Sequence, residues 1–262
     1  MKISSANMNV LIKAVRKAAK VIIRDFGEIE KLQVSLKGPG DFVTASDKKV
    51  EEILIYELQK ARPDYSILSE EIGEIKKDST FRWIIDPIDG TSNFLHGIPH
   101  FAISIGLESK NEIICGIIYD PIKDEMFTAE KGNGAYLNNQ RIRVSSRSKL
   151  RDCMIFSGGP KYNSKYKDIT FKEYNDMSSK IDVPIRKLGS GSLDMAYVAA
   201  GRCDGFYSRE LNYWDIAAGI ILIKEAGGFV KDFKGTDKFV ENETLLAANS
   251  KIIEEIIEVL KK

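Results

Sequence analysis

The chain has 262 residues, with 43% hydrophobic and 29% charged side chains and a formal net charge of +1. This balance excludes the strongly basic surface of a general nucleic-acid binder. The sequence also lacks an apolar run of the roughly 20 residues that span a bilayer, and its first residues lack the apolar core of a secretory signal.

Two amphipathic helices are predicted near the start of the chain. Apolar side chains recur at helical spacing through residues 8–26. After a loop rich in Gly and Pro, Thr44 or Ser46 can cap a second helix. Asp47 falls in the first turn of that helix, where the helix dipole alone favours a carboxylate. From the residues alone, this structural role is the simpler interpretation of Asp47.

Two predicted strands are followed by acidic residues. Residues 65–68 form one strand, and of the two glutamates that come next, Glu70 lies nearer to its end. The apolar run 83–85 forms a second, buried strand. We expect it to stop at Asp86, because Pro87 cannot donate to a ladder and disfavours helix at the residue before it.

The segment after this second strand combines another acid with a helix start. Asp89 is followed by Gly90, Thr91 and Ser92, whose backbone N–H groups we expect to face outward at the mouth of a helix. Asp86 and Asp89 can converge on one point beyond the strand. Carboxylates bind cations, and free N–H groups at a helix start bind anions. The segment is therefore suited to a phosphate bridged by Mg²⁺.

The next part of the chain is predicted to be an antiparallel series of strands within residues 100–145, separated by polar turns. A group of basic residues lies at its end. A solvated loop face is the favoured interpretation of this basic cluster, and a partner-binding patch is the alternative. Its members are Arg141, Arg143, Arg147, Lys149 and Arg151.

Beyond residue 153 the pattern changes to alternating strands and helices. We expect a strand at 183–188, a helix opened by Gly189-Ser190-Gly191-Ser192, and an apolar helix that begins at Trp214-Asp215. A last amphipathic helix is expected with Ser250 as its cap. The prediction is one compact domain, 1–262, with two subdomains that cover approximately 1–150 and 151–262.

Five acids stand out because each follows a strand, lies in the turn after one, or begins a helix: Asp47, Glu70, Asp86, Asp89 and Asp215. Acids beside apolar runs are costly unless a cation joins them. Carboxylate, carbonyl and hydroxyl oxygens suit Mg²⁺ or Mn²⁺ rather than zinc. A zinc pair of His96 and His100 is disfavoured, because Gly97 and Pro99 oppose the helix that such a pair requires.

The chemistry that this acid group favours is phosphate-ester hydrolysis. Two or more Mg²⁺ about 3.5–4 Å apart activate a water and stabilise the leaving oxygen. Such hydrolysis needs positioning and charge neutralisation more than a covalent nucleophile. The sequence contains no G-x-S-x-G elbow, Walker loop or reactive-cysteine motif. Three cysteines far apart, without a C-x-x-C pair, favour a reducing cytosol over a disulfide framework.

Two segments resemble the signatures of the inositol monophosphatase family, part of the Mg²⁺-dependent, lithium-sensitive sugar-phosphatase superfamily. They are W-I-I-D-P-I-D-G-T-S-N-F-L-H and W-D-I-A-A-G-I-I-L-I-K-E-A-G-G, and F-V-T-A-S-D and L-S-E-E extend the match over nearly the whole chain. The resemblance implies an α+β fold, a layered αβαβα sandwich, usually as a homodimer.

The resemblance also implies roles for individual residues. The implied metal ligands, for two or three Mg²⁺ with Mn²⁺ as a substitute, are Glu70, Asp86, the carbonyl of Ile88, Asp89 and Asp215. The implied catalytic residues are Glu70 and Thr91, which orient the attacking water, and Asp47, which is hydrogen-bonded to Thr91. This role replaces the structural interpretation of Asp47. The implied substrate-binding residues are Asp89, Gly90, Thr91, Ser92, Gly191, Ser208 and Asp215.

The chain departs from the family pattern at one substrate contact. Relatives that use inositol phosphate usually carry a Glu after two aromatics in the strand before the second signature. Here Ser208 occupies that position, and Glu210 follows two residues later. Ser208 is a weaker hydroxyl partner unless Glu210 replaces the acid. The metal site is unaffected, but the polyol that the enzyme binds is left open.

The leading hypothesis is therefore a cytosolic Mg²⁺-dependent inositol-phosphate phosphatase that acts on inositol 1-phosphate or a similar polyol or sugar phosphate, without a membrane partner. Histidinol phosphate, fructose 1,6-bisphosphate and 3′-phosphoadenosine 5′-phosphate are the rival substrates. The hypothesis of another class is an accessory binding factor of transcription or ribosome assembly, with the basic cluster as its contact surface.

Overall fold

The structure is a computed structural model that describes residues 5–28, 34–38, 41–160 and 163–261, with the backbone alone at 34–38 and 41–44. A cap by the Thr44 side chain lies outside the described residues. The described helices are α1 (Ala6–Phe26), α2 (Ala45–Ala61), α3 (Thr91–Leu95), α4 (Lys167–Ser178), α5 (Gly191–Ala199), α6 (Tyr213–Glu225) and α7 (Ile253–Leu260). None of these helices is long and apolar enough to cross a membrane.

Most described strands belong to two sheets, and β1 (Val34–Gly38) pairs with β2 (Asp41–Thr44) in a separate ribbon. The larger sheet has the order β10-β9-β8-β7-β6-β5-β3-β4 and the smaller one β11-β12-β14-β13. Their strands are β3 (Ser66–Ser69), β4 (Gly73–Ile75), β5 (Phe81–Asp89), β6 (Ala102–Ser109), β7 (Glu112–Asp120), β8 (Glu125–Glu130), β9 (Gly134–Leu137), β10 (Gln140–Arg141), β11 (Ile155–Ser157), β12 (Gly205–Arg209), β13 (Phe229–Lys231) and β14 (Thr244–Ala248).

The helices and sheets alternate in five layers, which confirms the predicted αβαβα sandwich. Helices α1 and α2 cover one face of the larger sheet with one apolar core. Helices α5 and α6 fill the space between the two sheets with a second core. Helices α4 and α7 cover the outer face of the smaller sheet with a third. On β5, Ile84 belongs to the middle core, whereas its neighbours Trp83 and Ile85 belong to the first, as strand alternation requires.

Strand β5 differs from the prediction, because it does not stop at Asp86 but continues to Asp89. The pairing with β6 shifts between Asp86, opposite Ser104, and Asp89, opposite Ala102. One extra residue of β5 is accommodated there as a bulge. Pro87 lies inside this irregularity, where the ladder requires no N–H from it.

Three other predicted features were wrong. Residues 183–188 form no strand beyond a single bridge of Arg186 to Phe156, and Pro184 removes one ladder donor there. Ser46 lies within α2 and donates to Asp25 at 2.7 Å instead of capping the helix. The predicted cap at Ser250 is absent: helix α7 begins at Ile253 with Ile252 as its N-cap, after a turn in which the carboxamide oxygen of Asn249 accepts the N–H of Lys251.

Helix α6 lies unusually close to the larger sheet, at two glycines that face each other across β6 and β7. Gly106 pairs with Gly116. A Cβ on Gly106 would lie 2.9 Å from the Cβ of Ala217, and one on Gly116 would lie 2.6 Å from Ile221 and 3.0 Å from the carbonyl of Ala218. The two glycines therefore set the depth at which α6, and the acid in its first turn, approaches the sheet.

We expect Gly116→Ala to destabilise the fold by about 1–3 kcal/mol, the usual cost of overpacking a close-packed core. Gly159→Ala is the matched control, because a Cβ there meets no atom within 4 Å. Chemical denaturation of both variants checks the prediction. Equal midpoints for the two variants would contradict the close approach.

Candidate metal and phosphate site

The centre of the site is a buried carboxylate at the bulge of β5. Asp86 is 1% exposed, and its Oδ1 atom has no hydrogen-bond partner in the described part of the chain. Burial raises the pKa of Asp86 well above its usual range, and the charges of Glu70, Asp89, Asp215 and Asp47 raise it further. The fold therefore brings all five predicted acids into one electrostatic group.

Separate elements carry the four acids that surround Asp86. Glu70 directly follows β3, the parallel neighbour of β5, and its N–H donates to the carbonyl of Ile85 at 3.2 Å. Asp47 lies in the first turn of α2 and Asp215 in the first turn of α6. The Oδ2 atom of Asp215 accepts the N–H of Asn212 at 2.8 Å, as part of a capping box.

Asp89 connects the turn after β5 to the start of α5. Its Oδ2 atom accepts the hydroxyl of Ser190 at 2.6 Å, the N–H of Ser192 at 2.7 Å and the hydroxyl of Ser192. Burial raises the pKa of Asp89, and these bonds oppose the rise. Ser190 and Ser192 belong to the predicted helix start Gly189-Ser190-Gly191-Ser192, but neither is among the predicted site residues.

Helix α3 begins at Thr91, two residues after Asp89, as predicted. Gly90 is its N-cap at φ +95°, in the left-handed region that favours glycine. A Cβ there would lie 3.1 Å from the carbonyl of His100. The hydroxyl of Thr91 lies 3.0 Å from the carbonyl of Ile88 and 3.4 Å from Oδ1 of Asp47. Thr91, Asp47 and the Ile88 carbonyl are therefore adjacent.

Two further residues that the prediction missed hold the site in shape. The carboxylate of Glu51 accepts the hydroxyl of Ser69 and the N–H groups of Glu71 and Ile72, at 3.0 and 3.3 Å, and so fixes the turn that carries Glu70. Glu51 lies one helical turn after Asp47 on α2, which is the sequence signal that could have identified it.

The second missed residue is Asn93 of α3. Its amide donates to the carbonyls of His100 and Leu188, both at 2.7 Å. These bonds join α3 to the loop that precedes α5. Asn93 therefore holds α3 against the part of the chain that carries Gly191.

A cavity of about 360 Å³ adjoins Asp89. Gly191 and Ser208, both predicted to contact substrate, line it together with Glu210. Ser208 is buried and its hydroxyl donates to the carbonyl of Arg209 at 3.2 Å. Glu210 accepts the hydroxyl of Ser164, so its carboxylate is already engaged on the wall of the cavity.

The basic cluster has an ordinary structural environment. Its Arg and Lys side chains are exposed. Arg147 pairs with Asp204 at 3.2 Å and Arg151 with Asp182 at 2.6 Å. Two of its charges are therefore used within the chain, which fits the solvated loop face that we favoured.

The residues present fit a hard divalent cation. Among the described residues, no three His, Cys, Asp or Glu side chains are gathered as a closed metal cluster. Instead, the acids surround Asp86 closely enough to act on its charge. The group contains only oxygen donors, which Mg²⁺ prefers, and a cation would supply the partner that Oδ1 of Asp86 lacks.

A layered αβαβα sandwich with oxygen ligands at a bulged strand end is the architecture of a metal-dependent phosphatase. Residues 5–262 match the inositol monophosphatase family. The chain belongs to this family.

Individual relatives agree with the assignment. An inositol-1-monophosphatase of Mesorhizobium japonicum is 48% identical over 259 residues, which cover 98% of this chain and 97% of that protein. A Pasteurella multocida protein named Nus factor SuhB is 40% identical over 251 residues, or 95% and 94% of the two chains. The crystal structure of the extragenic suppressor protein suhB from Bartonella henselae superposes with a TM-score of 0.95, at 48% identity, over 98% and 99% of the two chains.

We expect Asp86→Asn to stabilise the protein in EDTA at pH 8. The folded protein binds the Asp86 proton more tightly than the unfolded chain does, because the pKa is raised in the fold. The stability of the wild type therefore falls as the pH rises above about 4, the usual Asp value. A gain of 1 kcal/mol raises Tm by roughly 2–4 °C in a chain of this size.

Thermal melting at pH 5 and pH 8 checks this expectation. The advantage of the variant over the wild type should be larger at pH 8. A variant that melts below the wild type at both pH values would show that Asp86 stabilises the fold without a cation.

Proposed function

We propose that this chain is a Mg²⁺-dependent phosphomonoesterase that hydrolyses inositol 1-phosphate or a similar polyol phosphate. The observation that carries the proposal is the buried, unpartnered carboxylate of Asp86 with four acids acting on its charge. Such a group is costly in a fold without a bound cation. Its place beside the start of α3 and a polar cavity makes a cation useful for binding a phosphate ester.

Side chains from both halves of the chain supply the cation ligands in this proposal. They are Glu70, Asp86, Asp89 and Asp215, with the carbonyl of Ile88. Mg²⁺ bound there would activate a water and stabilise the leaving oxygen, and Mn²⁺ has the same preference for oxygen ligands. Glu51 contributes indirectly, because it fixes the turn that presents Glu70.

Thr91, Asp47 and Glu70 orient the attacking water. The Thr91 hydroxyl lies 3.4 Å from Asp47. When the Thr91 hydroxyl donates a hydrogen bond to Asp47, its oxygen is left to accept a hydrogen bond from the water. Glu70, at the end of the neighbouring parallel strand, accepts a hydrogen bond from the other O–H of the water. The lone pair of the water oxygen is then free to point at the phosphorus.

The phosphate group binds at the first turn of α3. The N–H groups of Gly90, Thr91 and Ser92 belong to the first turn of a helix, where backbone donors have no intrahelical partner. The hydroxyl of Ser92 adds a further donor. Because α3 begins directly after Asp89, a phosphate there lies beside the cation ligands.

The alcohol part of the substrate occupies the cavity beside Asp89. Its volume of about 360 Å³ is at the small end of ligand sites, which suits a single sugar or cyclitol ring. Gly191 exposes its backbone to the cavity, and Ser208 offers a hydroxyl in place of the acid of inositol-phosphate relatives. Asp215 is the last of the proposed substrate-binding residues, and it is also a proposed cation ligand.

We expect Asp86→Asn to reduce Mg²⁺-dependent phosphate release by at least about a hundredfold, because even outer-shell changes cost metal sites 10–100-fold. Asp204→Asn is the matched control. Asp204 is equally buried, but it bonds to Arg147 and to the N–H of Met154. Release that survives Asp86→Asn would show that the cation site is elsewhere.

We expect inositol 1-phosphate to give the highest kcat/KM among the phosphate esters used by relatives. The comparison includes histidinol phosphate, fructose 1,6-bisphosphate and 3′-phosphoadenosine 5′-phosphate. Steady-state phosphate release with each compound checks the expectation. A clear preference for one of the other three would identify it as the substrate, and a flat profile would indicate broad specificity.

The remaining expectations stay predictions. They are the homodimer, the sensitivity to lithium, the cytosolic location and the accessory role in transcription or ribosome assembly. The relatives named SuhB keep the accessory role open. The ion pairs of Arg147 and Arg151 with acids of the same chain give it no further support.

A further inference from the structure

The cavity beside Asp89 contains a second buried acid that the proposed mechanism does not use. Asp194 lies in the first turn of α5, is 2% exposed and lines the cavity. Its Oδ1 atom has no hydrogen-bond partner among the described residues. A buried carboxyl group without a partner costs free energy, so its presence in the wall of a cavity needs an explanation.

Among the described residues, no side chain gives Asp194 a hydrogen-bonded counter-charge. Burial raises its pKa well above the usual range, and the charge of Asp89 raises it further. The nearest basic group is His100, whose Nε2 atom lies 3.9 Å from Oδ1, beyond hydrogen-bond distance. Burial lowers the pKa of His100 to about 4, which weakens this contact as an ion pair. The contact with His100 therefore leaves Oδ1 without a hydrogen bond.

Several other polar side chains that line the cavity bond within the protein. Ser190 bonds to Asp89, Arg209 pairs with Glu173, Glu210 accepts from Ser164, and the amide of Asn93 donates to two carbonyls. These contacts keep their hydrogen-bonding groups within the protein. Asp194 differs from them because one of its oxygens is left for a ligand.

We propose that Asp194 is a substrate-binding residue that hydrogen-bonds a hydroxyl of the alcohol part of the substrate. The proposal rests on the proposed function, because it assumes that the phosphate lies at α3 and the alcohol in the cavity. It specifies the class of alcohol: a polyhydroxylated ring or chain with a hydroxyl that reaches the first turn of α5. An alcohol without hydroxyls beyond the ester oxygen leaves Asp194 unpartnered.

Two esters with the same ring size test this role. Inositol 1-phosphate carries ring hydroxyls, and cyclohexyl phosphate carries none. In Asp194→Leu, which is close in shape and makes no hydrogen bond, KM for inositol 1-phosphate should rise about twofold to tenfold, the range for a lost hydrogen bond between uncharged groups. The kcat/KM for cyclohexyl phosphate should stay unchanged. Asp194→Asn, which keeps a polar oxygen, should recover part of the loss.

Thermal melting separates a ligand role from a structural one. Leu in place of an unpartnered buried acid should leave Tm equal or higher, whereas loss of a structural contact should lower it. Asp204→Asn, which changes a buried acid that bonds to the N–H of Met154 and does not line the cavity, is the matched control and should leave KM for inositol 1-phosphate unchanged.

Two results with folded Asp194→Leu would overturn the role of Asp194. One is an equal loss of kcat/KM with both esters, and the other is no loss of kcat/KM with either. If Asp194→Leu does not fold, Asp194→Asn alone must raise KM for inositol 1-phosphate selectively, or the role is rejected. A wild type that hydrolyses neither ester with Mg²⁺ would instead refute the proposed function itself. The two failures are therefore distinguishable.

Discussion

The repulsion between Asp86 and the carboxylates around it is the constraint on which the rest of this structure depends. Acids from α2, from the end of β3, from the bulge of β5 and from α6 act on the charge of Asp86. Three of them are held by separate contacts: Glu51 fixes the turn of Glu70, a capping box holds Asp215, and Asp89 is bound to the start of α5. The fold keeps the acids close although they repel, which is the arrangement that a divalent cation would make favourable.

The same devices join the two halves of the chain. Asp89, the last residue of β5, and Asn93, in α3, bond to the segment around α5, and the Gly106–Gly116 pair sets how closely α6 approaches the larger sheet. The cation ligands and the cavity are therefore parts of one packed unit. The cavity-lining residues Gly191 on α5 and Ser208 on β12 are therefore held in place relative to the start of α3.

The sequence predicted the acids well, because strand ends and helix starts are local patterns that apolar periodicity reveals. It predicted their partners poorly. Glu51, Asn93, Ser190 and Ser192 act through contacts with segments distant in sequence. The continuation of β5 past Pro87 depends on a bulge that only the pairing with β6 defines. Asp194 was missed because it lies in the first turn of α5, where the helix dipole alone favours a carboxylate and a single acid gives no further signal.

The central claim is that Asp86 and the acids around it form a cation site. Calorimetric titration of Mg²⁺ into EDTA-stripped protein tests it most directly, with Asp204→Asn as a control for the loss of a buried acid elsewhere. We predict saturable binding by the wild type and by Asp204→Asn, and greatly weakened binding by Asp86→Asn. No binding by the wild type, or equal binding by Asp86→Asn, would contradict the claim.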